Sequence, residues 1–99
     1  MLKQLSIYAE NKKGALQVMT NALYEAGINI WGSVTNDGAE YGINRMVVSD
    51  PDKAKEVLTE KGYLCRFVDV LAVEIEDKPG ALNTLLTALL DSNVNVDYT

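Results

Sequence analysis

Few side chains in this 99-residue chain can carry out covalent chemistry. There is no histidine, which removes the commonest general base and metal ligand. Cys65 is the single cysteine. It has no histidine partner and no CxxC spacing, so neither nucleophilic, metal nor redox work is indicated. Its mid-strand position reads as a small buried apolar residue. The 14 Asp and Glu residues are spaced as solvated charge, with no pair set for acid–base work. No glycine-rich phosphate-binding motif occurs. What remains is a strand–helix junction that occurs twice. Glu10-Asn11-Lys12-Lys13-Gly14-Ala15-Leu16 returns, 66 residues on, as Glu76-Asp77-Lys78-Pro79-Gly80-Ala81-Leu82. Ile28-Asn29-Ile30 returns at the same offset as Val94-Asn95-Val96. A long-period repeat outranks any single-residue reading. A helix N-terminus presents unpaired N–H groups and a partial positive charge, and so suits a carboxylate. Gly14 and Gly80 remove the side chain that would block it. Asn29 and Asn95 each supply an amide that donates to a carboxylate or accepts from an ammonium. Together these groups suit a free α-amino acid. A plainer account also fits the spacing: a glycine at a tight strand–helix turn and an asparagine opening an edge strand.

The elements that must position these residues follow from periodicity. Residues 2–9 alternate, with Leu5 and Ile7 set against Gln4, Ser6 and Tyr8, which predicts a half-buried strand. From Ala15 the period becomes helical, with Ala15, Leu16, Met19, Ala22, Leu23 and Ala26 in one stripe and Gly27 as the stop. A second strand follows over residues 28–34, placing Ile28, Ile30 and Gly32 opposite Asn29, Trp31 and Ser33. Asp37-Gly38 signals a turn into a third strand from Tyr41 to Ser49. Asp50-Pro51 opens a second helix that buries Ala54, Val57 and Leu58 and ends at Lys61-Gly62. Residues 63–76 read as extended, closing one unit near Asp69 and opening another. The second copy of the first helix carries Ala81, Leu82, Leu85, Ala88 and Leu89, and residues 94–99 form its following strand.

The expected class is α+β. Residues 1–69 form a β-α-β-β-α-β, ferredoxin-like unit, with a four-stranded antiparallel sheet and both helices on one face. Residues 70–99 form the β-α-β half of a second unit, and the chain reads as a fragment or truncation there. Trp31, on an edge strand, is expected on the face the helices leave bare. Asn44 shares a face of the third strand with Gly42 and Met46. It is a buried amide needing partners if that face meets the helices, and an ordinary surface residue if it is open.

A net charge of −5 argues against nucleic acid as a partner, because an acidic surface repels phosphates. A lone cysteine fits a reducing compartment. The N-terminal residues lack the apolar core of a signal peptide, and no apolar run approaches about 20 residues, so no membrane span is expected. The cytoplasm is the expected location, and no cofactor is expected.

At the repeated motifs the chain resembles the ACT domain family. The residues that carry the resemblance are Asn11-Lys-Lys-Gly14-Ala-Leu16 with Ala26-Gly27-Ile28-Asn29-Ile30, and Asp77-Lys-Pro-Gly80-Ala-Leu82 with Ser92-Asn93-Val94-Asn95-Val96. It covers essentially the whole chain and looks most like small stand-alone tandem ACT proteins without a catalytic domain. The resemblance implies a regulatory module, not an enzyme, that binds small molecules, usually amino acids. The ligand is then expected between the strand–helix loop of one domain and the second strand of a paired domain. Carried over, this points to Asn11, Gly14, Ala15, Leu16, Asn29 and Ile30, and in the second copy to Asp77, Gly80, Ala81, Leu82, Asn95 and Val96. Two functions are therefore expected to compete. One is amino-acid binding, with a homodimer as the assembly. The other is a protein association module without a working ligand site.

Overall fold

The computed structural model describes residues 2–10, 13–36 and 41–99, with Asn36 and Tyr41 described by backbone alone. The expected Asp37-Gly38 turn lies outside the described residues. The elements run β1 (Leu2–Glu10), α1 (Ala15–Glu25), β2 (Ile30–Asn36), β3 (Tyr41–Val48), α2 (Pro51–Glu60), β4 (Leu64–Val70) and α3 (Ala81–Asp91). The four strands form one antiparallel sheet in the order β2-β3-β1-β4. β1 is central and pairs along its length with both β3 and β4.

One sheet face carries Leu5, Ile7, Met46 and Val48 into a core with Met19, Ala22 and Leu23 of α1 and Ala54 and Leu58 of α2. Cross-strand register explains the facing: Leu5 lies opposite Met46, and Ile7 opposite Asn44. Cys65 lies opposite Ile7 on the other side and is buried in the same core. The stripe expected for α1 is right at Met19, Ala22 and Leu23, but Leu16 is exposed. It sits in the first turn, beyond the cover of the sheet and α2.

Helix ends follow local chemistry. The Asp50 carboxylate accepts from the Lys53 N–H at 3.2 Å, and Pro51 occupies the first turn of α2. α1 closes with two Schellman bonds, Gly27 N–H to the Tyr24 carbonyl and Ile28 N–H to the Leu23 carbonyl, both 3.0 Å. α3 closes the same way, with Asn93 at φ 60° in the place Gly27 holds in the first copy.

Three expectations fail in informative ways. First, β1 is buried on both faces. Gln4 (7% exposed) and Ser6 (5%) lie on the side away from the helices. The C-terminal segment covers them: the Gln4 side-chain amide donates to the Tyr98 hydroxyl at 2.9 Å. Arg45, directly opposite Ser6, stacks over the Tyr98 ring at 4.3 Å. Second, β2 does not alternate evenly. The register jumps between Ile30 and Gly32, so Trp31 occupies a bulge and is exposed. Beyond it Ser33 and Thr35 lie opposite Met46 and Asn44, on the helix side of the sheet. Third, residues 71–76 and 94–99 belong to no ladder. In this strand order a unit's first and second strands are not neighbours, so these two have no partner to pair with among the described residues.

No residue of α3 is buried, in contrast to α1. The repeat makes this measurable, since Leu23 and Leu89 are equivalent positions. Leu23→Ala is expected to lower unfolding free energy by about 2–5 kcal/mol. Leu89→Ala is expected to cost far less. Urea denaturation of both variants is the check, and equal losses would show that α3 is packed as firmly as α1.

Candidate functional site

Both repeated junctions adopt the same backbone. Gly14 caps α1 at φ 82°, and Gly80 caps α3 at φ 87°. This left-handed conformation is costly for residues with a Cβ, and it lets the chain turn from strand to helix in a single residue. A Cβ built on either glycine would meet nothing within 4 Å. The glycines are therefore required by backbone conformation rather than by crowding at the Cβ. Among the described residues no side chain caps either helix, and neither first turn contains an acidic residue. The first intrahelical bonds are Val18 N–H to the Gly14 carbonyl at 3.1 Å and Thr84 N–H to the Gly80 carbonyl at 2.9 Å. N–H groups ahead of those have no intrahelical partner, though at α3 the Ala81 N–H is taken by the Lys78 carbonyl at 3.2 Å, and each N-terminus carries the partial positive charge that attracts a carboxylate.

Gly14, Ala15 and Leu16 are together at the start of α1. Asn11 lies outside the described residues. Asn29 and Ile30 lie at the other end of the same helix, where the chain enters β2. α1 has 11 residues, so the two groups stand about 16 Å apart along its axis. The Asn29 backbone is fixed: its N–H donates to Ser49 Oγ and its carbonyl accepts from Ser49 N–H, both at 2.9 Å. Its side chain is exposed, while Ile28 is buried. In the second copy, Asp77 and Leu82 are exposed beside Gly80 and Ala81. The Asn95 side-chain amide donates to Asp97 Oδ1 at 3.2 Å, and Val96 is exposed. Among the described residues of the first unit, Gly14, Ala15 and Leu16 thus lie at one end of α1 and Asn29 and Ile30 at the other.

Asn44 is on the helix side of the sheet and only 4% exposed. Its Nδ2 donates to Thr35 Oγ1 at 2.9 Å, and its Oδ1 is buried with no hydrogen-bond partner among the described residues. Such an unmet acceptor costs about 1–3 kcal/mol. The sequence marks this residue as a polar position in an apolar strand, but the bulge that brings Thr35 to it leaves no sequence signal.

Burial pushes the Cys65 thiol above its ordinary pKa, against a weaker opposing effect of the Lys55 ammonium. Two open grooves mark the surface. One is lined by Asp52, Lys55, Glu56, Thr59, Glu60 and Phe67, and the other runs along α1 at Gln17, Val18, Asn21, Ala22, Glu25 and Lys61. Neither includes an expected ligand residue. Among the described residues no group of His, Cys, Asp and Glu side chains is placed to hold a metal ion, and no helix is long and apolar enough to cross a membrane.

An α+β sheet with helices on one face, entered through a repeated glycine-capped junction, is the arrangement of an ACT-type domain. The chain belongs to the ACT domain pair family, whose model matches residues 1–99. It is similar to the crystal structure of protein BT0572 from Bacteroides thetaiotaomicron. That likeness has 37% identity and a TM-score of 0.93, and covers 98% of this chain and 67% of that one. The regulatory subunit of aspartate kinase from Thermus thermophilus, in its ligand-free form, matches with 15% identity and a TM-score of 0.74. It covers 97% of this chain and 72% of that one. A structure of aspartokinase alpha and beta subunits matches at 15% identity and TM-score 0.66, over 99% and 78% of the two chains. At that identity the last two show the fold alone. No curated protein matches the chain.

The glycine argument is testable without a ligand. Gly14→Ala is expected to destabilise by about 1–2 kcal/mol through backbone conformation alone. Gly14→Asn is expected to cost less, because asparagine tolerates this region, as Asn93 does in this chain. Thermal unfolding of both variants decides it. Equal losses would point to a steric cause.

Proposed function

We propose that this chain is a cytoplasmic regulatory module that binds a free amino acid where two ACT units meet. Residues 1–69 make the first unit, and residues 70–99 the first half of a second. The carboxylate lies at an uncapped helix N-terminus, at Gly14, Ala15 and Leu16 or at Gly80, Ala81 and Leu82. Asn11 or Asp77 borders it, and the second-strand residues of a neighbouring unit, Asn29 and Ile30 or Asn95 and Val96, complete the site.

The observation that carries this reading is the separation of about 16 Å between Gly14 and Asn29 across the 11 residues of α1. One amino acid cannot span it, since a single residue advances the chain by only about 3.8 Å. Two domains must therefore contribute. β2 forms an edge of the sheet, so its backbone is available to a neighbour. A symmetric homodimer supplies that neighbour, with the half unit pairing to the other chain. The net charge of −5 disfavours nucleic acid as an alternative partner. The module has no catalytic role in this reading.

A second reading, association without a ligand, is favoured by one observation. α3 leaves Leu82, Leu86 and Leu90 exposed, and such a stripe is a contact surface.

A thermal-shift screen of the twenty amino acids separates the two. Ligand at 100 times its dissociation constant stabilises by about 2.7 kcal/mol, which moves the midpoint of a domain this size by several degrees. No shift with any of them favours association alone. For the amino acid that responds, Asn29→Leu is expected to weaken binding by about 1.5–3 kcal/mol with the fold intact. Normal binding by an easily unfolded variant would make the Asn29 amide structural. Light scattering coupled to size exclusion is expected to give twice the 10.9 kDa of one chain, and a monomer would remove the homodimer.

A further inference from the structure

The two copies of the repeat pack unequally, and the inequality singles out one helix face. Five of the 11 residues of α3 are leucines, and no residue of the helix is buried. The leucines fall into two stripes. Leu85 and Leu89 correspond, 66 residues on, to Met19 and Leu23, which are buried beneath α1. They belong to the inner face of their own unit. Leu82, Leu86 and Leu90 correspond to Leu16, Thr20 and Tyr24. In the first unit the sheet and α2 are in place, yet Leu16 and Tyr24 remain 50% and 79% exposed. This stripe therefore faces outward even from a complete unit, and no element of the unit covers it. On α3 all three of its positions are leucine, four residues apart on one face, and all three are exposed.

Charge points to what does cover it. The chain carries −5, so two copies repel each other over most of their surface. α3 is an exception, because Asp91, its last residue, is its only charged side chain. α2, by contrast, carries Asp52, Lys53, Lys55, Glu56 and Glu60. Asp91 sits at the negative end of its own helix, where a carboxylate is unfavourable. Glu25, its equivalent on α1, accepts from Asn21 Nδ2 at 3.3 Å. Asp91 has no hydrogen bond or ion pair among the described residues. A second α3 running antiparallel answers both features. With a dyad at Leu86, that residue meets the partner's Leu86, and Leu82 meets the partner's Leu90. Each Asp91 then comes to the partner's helix start at Ala81, the positive end. Surface area allows such a contact. The chain exposes 7257 Å², whereas about 5,600 Å² is expected of a folded monomer of 10.9 kDa. The excess of roughly 1,700 Å² exceeds the ~800 Å² per partner that a standard interface buries.

We propose that the outer stripe of α3, formed by Leu82, Leu86 and Leu90, docks on the same stripe of a second copy, with the two helices antiparallel about a dyad at Leu86. This rests on the homodimer of the reading above and not on its ligand, and it names the surface that joins the two chains.

Sedimentation equilibrium of the full chain at micromolar concentrations tests it, with circular dichroism to check the fold of each variant. Wild type is expected to be a dimer. Leu86→Asp sets two carboxylates face to face on the dyad and is expected to weaken the dimer at least about hundredfold. Leu86→Ser gives the same readout in smaller measure should the charge disturb the fold. Tyr24→Asp, at the position of α1 equivalent to Leu90, is expected to leave the dimer unchanged. The double variant Leu82→Lys/Leu90→Asp decides direction. Antiparallel helices bring its opposite charges together at both ends, so the dimer is expected to survive, whereas parallel helices would bring like charges together. Full-strength dimers of the Leu86 variants, or a monomeric double variant, would overturn the proposal. Dissociation by Tyr24→Asp in place of the Leu86 variants would also overturn it, with the homodimer standing but joined through α1. A monomeric wild type would overturn both.

Discussion

The structure depends on β1 being held on both edges and both faces. Its backbone pairs with β3 on one side and β4 on the other. Leu5 and Ile7, fully buried, anchor α1 and α2 to one face. Gln4 and Ser6 are covered on the other, where Tyr98 reaches across from the C-terminal segment. The end of this rigid strand feeds the turn at Gly14, which sets the direction in which α1 departs.

Much of this is legible in the sequence, for identifiable reasons. Alternation located β1, and a switch to helical period located α1. A positive-φ glycine at a strand–helix junction has few substitutes, so its recurrence at Gly80 announced a repeated geometry. Asp50-Pro51 gave the start of α2 because cap chemistry is local. What could not be read was non-local. The bulge at Trp31 is set by pairing with β3, and it turns Ser33 and Thr35 toward the helices. The exposure of Leu16 depends on how far the sheet and α2 extend past the first turn. Two alternating stretches, residues 71–76 and 94–99, look like strands but form no ladder, because a strand needs a neighbour as well as a pattern. The repeat in the sequence singles out the glycines and asparagines of the candidate site. Its placement at opposite ends of α1 emerged only from topology, and the facing of Asn44 only from register.

The contact between Tyr98 and the sheet ties the C-terminal segment to the central strands. Tyr98 lies two residues beyond Val96, in the segment that carries Asn95, and it touches Gln4 on β1 and Arg45 on β3. Arg45 is the immediate neighbour of Asn44, pointing to the other face. The segment that carries Asn95 and Val96 is thus tied to the β1–β3 strand pair.

The central claim is that an amino acid binds where the helix N-terminus of one unit faces the second strand of another. Amide NMR of the uniformly labelled chain, titrated with the twenty amino acids in groups, tests it most directly. The account predicts that the largest shifts fall together on the amides of Ala15, Leu16 and Gln17 and on those of Asn29 and Ile30, with the same apparent affinity at both places. Shifts concentrated elsewhere, for example along α2 around Lys55 and Phe67, with the Ala15–Gln17 amides unmoved, would contradict it.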